Sequence, residues 1–271
     1  MIVCKNAQEF AEYIADKKIL IYGTGYVAIH FLEALQRQGL DQKIQGFVIS
    51  RKNGKQSEVE GFPVREIDEV SVNDEAVICV AVHESVKTEI TAVLERKGYF
   101  NYIWIYPYLY HLYYGDPVRE GAWIDIGKLV QCEAGKYTSA LRWAAIEDYY
   151  GKCPQGFYLY RKGIALHAHA DTAKARETSF RNLIQRWDAC GYDPEKQIAI
   201  NEAYEVIDGE HRVVVGLYHG QQKMRCKIYS GENLHDEESL MTGRVLTEGG
   251  FTAKEMNILD NINLNIRNLI S

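Results

Sequence analysis

Lys18-Ile19-Leu20-Ile21-Tyr22-Gly23-Thr24-Gly25-Tyr26-Val27-Ala28 is the stretch on which the fold turns. An apolar run meets two glycines that bracket a threonine, and a segment with apolar residues at Val27, Phe31 and Leu35 follows. That order predicts a strand, a glycine turn and a helix. Outward from it, Ile44 to Ile49 forms a second apolar run after a helix stop at Gly39. Ala76 to Val82 is a third and Tyr102 to Ile105 a fourth, with helical patterns near 26–38 and 84–97 between them. Strands that alternate with helices imply an α/β chain with a parallel, doubly wound sheet.

The glycines have mechanical work in such a sheet. Gly23 permits the tight turn, Gly25 lets the backbone approach a phosphate, and Ala28 allows close helix packing, with an anion at the helix N-terminus. The acidic residue expected near the end of the second strand is absent, and Ser50-Arg51-Lys52 stands there instead. An Arg-Lys pair suits a 2′-phosphate or a sugar-linked diphosphate, and it equally suits a solvated basic turn. His83, with Glu84, sits at the carboxyl end of the third run, where ligands bind such sheets or a helix starts. Gly23, Thr24, Gly25, Tyr26, Ser50, Arg51 and His83 are therefore the candidate cofactor-binding residues of this half.

Residues 17–105 resemble the small Rossmann-like N-terminal domain attached to sugar O-acyltransferases and other surface-polysaccharide enzymes. The resemblance is carried by Ile21-Tyr22-Gly23-Thr24-Gly25, Gly46-Phe47-Val48-Ile49-Ser50, Gly61-Phe62-Pro63-Val64 and Ala76-Val77-Ile78-Cys79-Val80-Ala81-Val82. It implies a nucleotide-sugar, with NAD(P) as the alternative ligand.

The 271 residues exceed the usual size of one domain, so two are expected, and 46% hydrophobic residues with only 5 prolines exclude a disordered or collagen-like chain. Net charge is −6, and Lys+Arg against Asp+Glu is 12 to 15 in 1–106 and 19 to 22 in 107–271, so each part is −3 and neither half is basic. A nucleic-acid partner is disfavoured. No apolar run reaches the roughly 18 residues that span a bilayer, and the N-terminus lacks the pattern of a signal peptide, so a cytoplasmic protein is expected. Six cysteines without a CxxC pair read as buried hydrophobes or free thiols.

Residues 99–114 hold seven of the nineteen tyrosines, and Gly115-Asp116-Pro117 follows as a turn. Tyrosine has a large apolar face and a polar tip, which suits a surface that is buried but partly wet. A domain or subunit interface is expected, including a homodimer through 99–114; stacking on a sugar or base is the alternative. This gives a first domain at 1–106, an aromatic connector at 107–135 and a second domain at 136–271.

In the second half, Ile198 to Gly220 reads as strand, hairpin, strand, a sharp Asp208-Gly209 turn and a short helix, with another strand from Met224 to Tyr229. The turn sets backbone N–H groups and the positive end of a helix dipole beside His211 and Arg212, a ready site for a di- or triphosphate. Arg212 would take phosphate in its fork, and His211 would add a donor or a proton carrier. The plainer reading makes Asp208 a helix cap and His211-Arg212 solvated first-turn residues.

Here residues 163–230 resemble the ParB/sulfiredoxin fold, on Gly209-Glu210-His211-Arg212 after a strand, and on Ala175-Arg176-Glu177-Thr178-Ser179-Phe180-Arg181-Asn182-Leu183-Ile184 leading through Gly191-Tyr192-Asp193-Pro194 to Ile198. Glu210 replaces the cysteine that sulfiredoxins carry, which speaks against sulfinic-acid repair. The acidic sequence beyond the motif speaks against DNA partition. The branch that remains includes nucleotide-dependent kinases of small molecules. The resemblance implies ATP or CTP with Mg²⁺ at Arg176, Asp208, Gly209, Glu210, His211 and Arg212.

Glu177 and His211 are the catalytic candidates, Glu177 as a Mg²⁺ ligand or proton acceptor or else a helix-start carboxylate. His167, His169 and Asp171 would share one face of a strand, a polar face near the nucleotide in preference to a metal site. The expected protein is a nucleotide-dependent phosphotransferase in surface-polysaccharide or related small-molecule metabolism. A nucleotide-responsive scaffold without turnover and an NAD(P)-dependent oxidoreductase are the alternatives.

Overall fold

A computed structural model describes residues 1–271 other than 5, 52–56, 71–74, 83–85, 133–134, 167–169 and 234–240, without the side chains of 170–172. The chain is mixed α/β and divides into two compact units, Met1–Asp116 and Pro117–Ser271, each with a mixed sheet.

The first unit runs α1 (Ala7–Ala15), β1 (Lys18–Tyr22), α2 (Tyr26–Arg37), β2 (Ile44–Ile49), β3 (Glu58–Val59), β4 (Phe62–Glu66), β5 (Ala76–Val80), α3 (Lys87–Arg96), β6 (Tyr102–Trp104) and α4 (Leu109–Tyr114). Its strand order is β3-β4-β2-β1-β5-β6. The pairs β4-β2, β2-β1, β1-β5 and β5-β6 are parallel, and the short β3 closes one edge antiparallel to β4.

Because strand side chains alternate, β1 serves two cores at once. Ile19 and Ile21 pack with Phe10 and Ile14 of α1, Phe31 and Leu35 of α2, and Leu109 and Leu112 of α4. Leu20 and Tyr22 point the other way, to Ile90 and Leu94 of α3 and to Trp104. A strand buried on both faces has no polar alternation to show, which is why 18–22 reads as a continuous apolar run.

The tyrosine-rich segment is not a connector. Tyr102 is fully buried within β6, and Tyr99 donates to the carbonyls of Ile67 (3.0 Å) and Val70 (2.6 Å). Tyr108 donates to the Cys4 carbonyl (2.7 Å) and stacks on Phe10, while Arg37 lies over the Tyr113 ring. These rings and hydroxyls are used inside the first unit, because β6 and α4 complete its sheet and one of its faces. The stretch 107–135 is accordingly divided: α4 belongs to the first unit and β7 to the second.

The second unit runs β7 (Arg119–Asp125), α5 (Thr138–Tyr149), α6 (Gly156–Ile164), α7 (Ala170–Cys190), β8 (Ile198–Asn201), β9 (Val206–Asp208), α8 (Glu210–Tyr218), β10 (Lys223–Tyr229), α9 (Gly243–Glu248) and α10 (Ala253–Ile270). Sheet order is β7-β10-β8-β9; β8 and β10 are parallel, and the other two pairs antiparallel. The expected progression from 198 to 229 stands, since β8 and β9 form the hairpin and α8 follows the Asp-Gly turn directly.

The expected strand does not extend to Asp171. Asp171 lies in the first turn of α7, while His167 and His169 are outside the described residues. Helical spacing wins there: Ala173, Phe180, Ile184 and Trp187 recur on one face of α7 and enter the core. Glu177 consequently lies well inside α7 rather than at its start. Among the described residues, no helix is long and apolar enough to cross a membrane.

Candidate functional site

At the first glycine turn, Gly23 has φ +112°, and a Cβ there would stand 2.7 Å from Val82 Cγ1 and 2.9 Å from the Ala81 carbonyl oxygen. Only glycine fits this approach of β1 to the end of β5. Gly25 is the N-cap residue of α2, and nothing lies within 4 Å of the place a Cβ would take. Ala28 is fully buried against the sheet. The Tyr26 ring sits edge-on to His30 at 4.1 Å. Ser50 is joined to the Tyr22 hydroxyl, Thr24 is half-buried, and Arg51 is exposed. Lys52, His83 and Glu84 lie outside the described residues. Gly23 to Tyr26 thus form one turn at the carboxyl end of β1, beside Ser50 at the end of β2.

The second turn is crowded with charge. Gly209 has φ +102° and is the N-cap residue of α8; Asp208 does not cap the helix. Its carboxylate instead accepts from Arg212 Nη2 at 3.0 Å, while Arg212 Nη1 donates to the carbonyls of Lys196 (2.5 Å) and Gln197 (3.1 Å). Arg212 is therefore a pin between the start of α8 and the chain entering β8. In this arrangement both of its terminal nitrogens are taken by the protein, which leaves little of its fork for phosphate.

Glu210 and His211, the next two residues, face a cluster from three other helices. Glu210 Oε2 meets Arg142 Nη2 of α5 at 2.9 Å, and Arg142 Nη1 donates to the Thr138 carbonyl at 2.8 Å. His211 Nε2 lies 2.8 Å from the Tyr160 hydroxyl of α6, with its ring edge-on to Phe180 of α7 at 4.7 Å. Burial pushes the Tyr160 hydroxyl up to about 12; Arg142 and Arg176 pull it down and Glu210 and Glu177 push it up. All four side chains are thus near that one phenol, which keeps its proton at neutral pH.

Glu177 is held on both sides. Its Oε1 accepts from Arg181 Nε at 2.8 Å and also lies 2.8 Å from Arg181 Nη2, and its Oε2 lies 3.1 Å from Arg161 Nε. In this arrangement the Glu177 carboxylate must give up an ion pair before it can approach a metal ion or an acceptor hydroxyl. Among the described residues, no three His, Cys, Asp or Glu side chains are grouped to hold a metal.

Two buried atoms here, Arg142 Nε and Glu210 Oε1, have no hydrogen-bond partner, and Glu177 Oε2 has the ion pair with Arg161 but no hydrogen bond. Buried polar atoms are nearly always satisfied, so such a concentration marks a place with open valence. Arg142, Tyr160, Arg161 and Arg181 were not among the sequence candidates. One of them left a visible trace: Arg142 interrupts Ala140-Leu141 and Trp143-Ala144-Ala145-Ile146, all of which are buried. An arginine inside an apolar run needs a buried anion.

No family model, curated protein or solved structure matches the chain.

Proposed function

We propose that the second unit binds a nucleotide polyphosphate at the start of α8, and that the chain is a phosphotransferase of small-molecule or surface-polysaccharide metabolism. Its architecture is read as ParB/sulfiredoxin-like, with a Rossmann-like first unit that takes a nucleotide-sugar or NAD(P) against Gly23 to Tyr26. One observation carries the reading. Among the described residues, four guanidinium groups, Arg142, Arg161, Arg176 and Arg181, gather around two carboxylates, Glu177 and Glu210, beside a helix N-terminus. Such an excess of positive charge in a half-buried place favours a polyanion.

The chemistry of each side chain follows from its contacts. Arg142 and Arg176 supply charge, the first amides of α8 supply donors, and His211, its Nε2 held by the buried Tyr160 hydroxyl, supplies a donor or proton carrier. A second reading, binding without turnover, is favoured by the clamp of Arg161 and Arg181 on Glu177.

Calorimetry of the full chain with MgATP and MgCTP, followed by phosphorus NMR in the presence of sugar and amino-acid acceptors, separates these readings. Binding with a new phosphoester signal supports transfer. Binding without any change in the nucleotide signals supports the second reading, and absence of binding to either nucleotide overturns both.

A further inference from the structure

We infer that Arg142 is the side chain that seats the ligand's terminal phosphate, and that Glu210 occupies this seat until the ligand displaces it. The inference rests on the polyphosphate reading above and assigns its recognition and its built-in competitor.

Nε and Nη2 of an arginine form one edge of its planar fork and take an oxyanion through two parallel bonds. In Arg142 this edge is half used. Nη2 holds Glu210 Oε2 at 2.9 Å, whereas Nε is buried without a hydrogen-bond partner. Glu210 shows the same deficit from its side, since Oε1 is also buried and without a partner. The two side chains are only 12% and 19% exposed, so neither atom is rescued by bulk water.

A buried pair with an open valence at each end returns less than its desolvation costs. A phosphate with three terminal oxygens fills both Nε and Nη2 and leaves an oxygen for the amides that start α8. Glu210 is the first residue of α8, so rotation about its own side chain moves its carboxylate out toward the helix start without unwinding a turn. Arg142 stays in place, because Nη1 is bound to the Thr138 carbonyl of its own helix. The exchange is carboxylate for phosphate on one fixed guanidinium group, with no covalent step.

The test is calorimetric titration of the full chain with sodium tripolyphosphate and, separately, with MgATP. Glu210→Gln keeps the size of the side chain and removes the competing charge, so it tightens tripolyphosphate about tenfold, by about 1.4 kcal/mol. In the Arg142→Gln background the same change gives no gain, because the competitor has lost the seat it guarded. Circular dichroism checks that each variant is folded. Wild-type binding that Glu210→Gln leaves equal or weaker overturns the competitor while the polyphosphate reading stands. An equal gain in both backgrounds overturns Arg142 as the seat. Failure of wild type and Glu210→Gln alike to bind either probe overturns this inference and the polyphosphate reading together.

Discussion

At Gly23 the chain leaves β1 for α2 with φ +112°, and at Gly209 it leaves β9 for α8 with φ +102°. Both turns deliver a helix N-terminus to the end of a strand, yet their surroundings are opposites. Around Gly23 the neighbours are Val82 and the Ala81 backbone, and Gly25 faces open space. Around Gly209 stand Arg212, Asp208, the Glu210–Arg142 pair and the His211–Tyr160 pair. Among the described residues, the first turn offers an anion its backbone and the neutral side chains of Thr24 and Ser50, beside the exposed Arg51; the second offers side-chain charge gathered from three other helices. Shape limits the former, and electrostatics limit the latter.

That contrast is broken most easily at the glycines. Gly23→Ala places a Cβ against backbone in a left-handed conformation and is expected to cost about 3 kcal/mol of stability, while Gly25→Ala, in open space at an N-cap, costs only about 0.5 kcal/mol. Urea unfolding of the two variants reads the difference directly. Equal losses would mean that close packing at β5 is not what demands a glycine at 23.

The next largest effect separates the two arginines of the second turn. Arg142→Gln is expected to weaken nucleotide binding by about 2 kcal/mol, roughly thirtyfold, whereas Arg212→Ala lowers folding stability by a similar amount through its lost bonds to Lys196, Gln197 and Asp208. Calorimetry and urea unfolding on the same preparations decide it. A binding loss confined to Arg212→Ala would return the phosphate contact to Arg212.

How far each turn could be read from sequence follows from where its parts lie. The first is local: an apolar run, two glycines and helical spacing occupy one continuous stretch, and β1, β2, β5 and β6 were legible because buried parallel strands are plain apolar runs. The β8-β9-α8-β10 order was legible for a similar reason, with Asp208-Gly209 as its hinge. The cluster at α8 was not, since Arg142, Tyr160, Arg161 and Arg181 meet only after α5, α6 and α7 pack together. The two-residue β3 was too short to show a period. Asp171 was read into a strand because the apolar period of α7 shows only from Ala173, although the helix begins at Ala170.

A smaller effect tests the proton-bearing pair. Tyr160→Phe deletes the hydroxyl beside His211 Nε2 and is expected to cost about 1 kcal/mol in stability. Urea unfolding at neutral pH measures it. A neutral or stabilising outcome would show that the 2.8 Å contact contributes nothing to the folded state.

The smallest effect comes from an ion pair that is the counterpart of Arg142–Glu210. Lys162 Nζ lies 2.8 Å from Glu255 Oε2 and 2.8 Å from the Gly250 carbonyl, and Glu255 also accepts from the Thr252 amide at 2.6 Å. Burial alone would push the Glu255 carboxyl up, but the Lys162 bond and the contacts with Thr252 outweigh it and hold the carboxyl below its ordinary value. A carboxyl lowered by folding stabilises the native state above its unfolded pKa, and the contribution is lost as pH falls through the folded value. In Lys162→Met the largest lowering partner is gone, so the deficit of the variant against wild type, under about 1 kcal/mol at pH 7, narrows as pH falls below about 4. Urea midpoints of both proteins from pH 7 to pH 3 measure that gap. A gap that stays constant over the range would assign Lys162 to packing over Phe251 rather than to charge. Saturating tripolyphosphate should leave this gap unchanged, because Lys162 is already bonded to Glu255 and to the Gly250 carbonyl, and Glu255 to the Thr252 amide, which offers a competing anion no open guanidinium edge of the Arg142 kind.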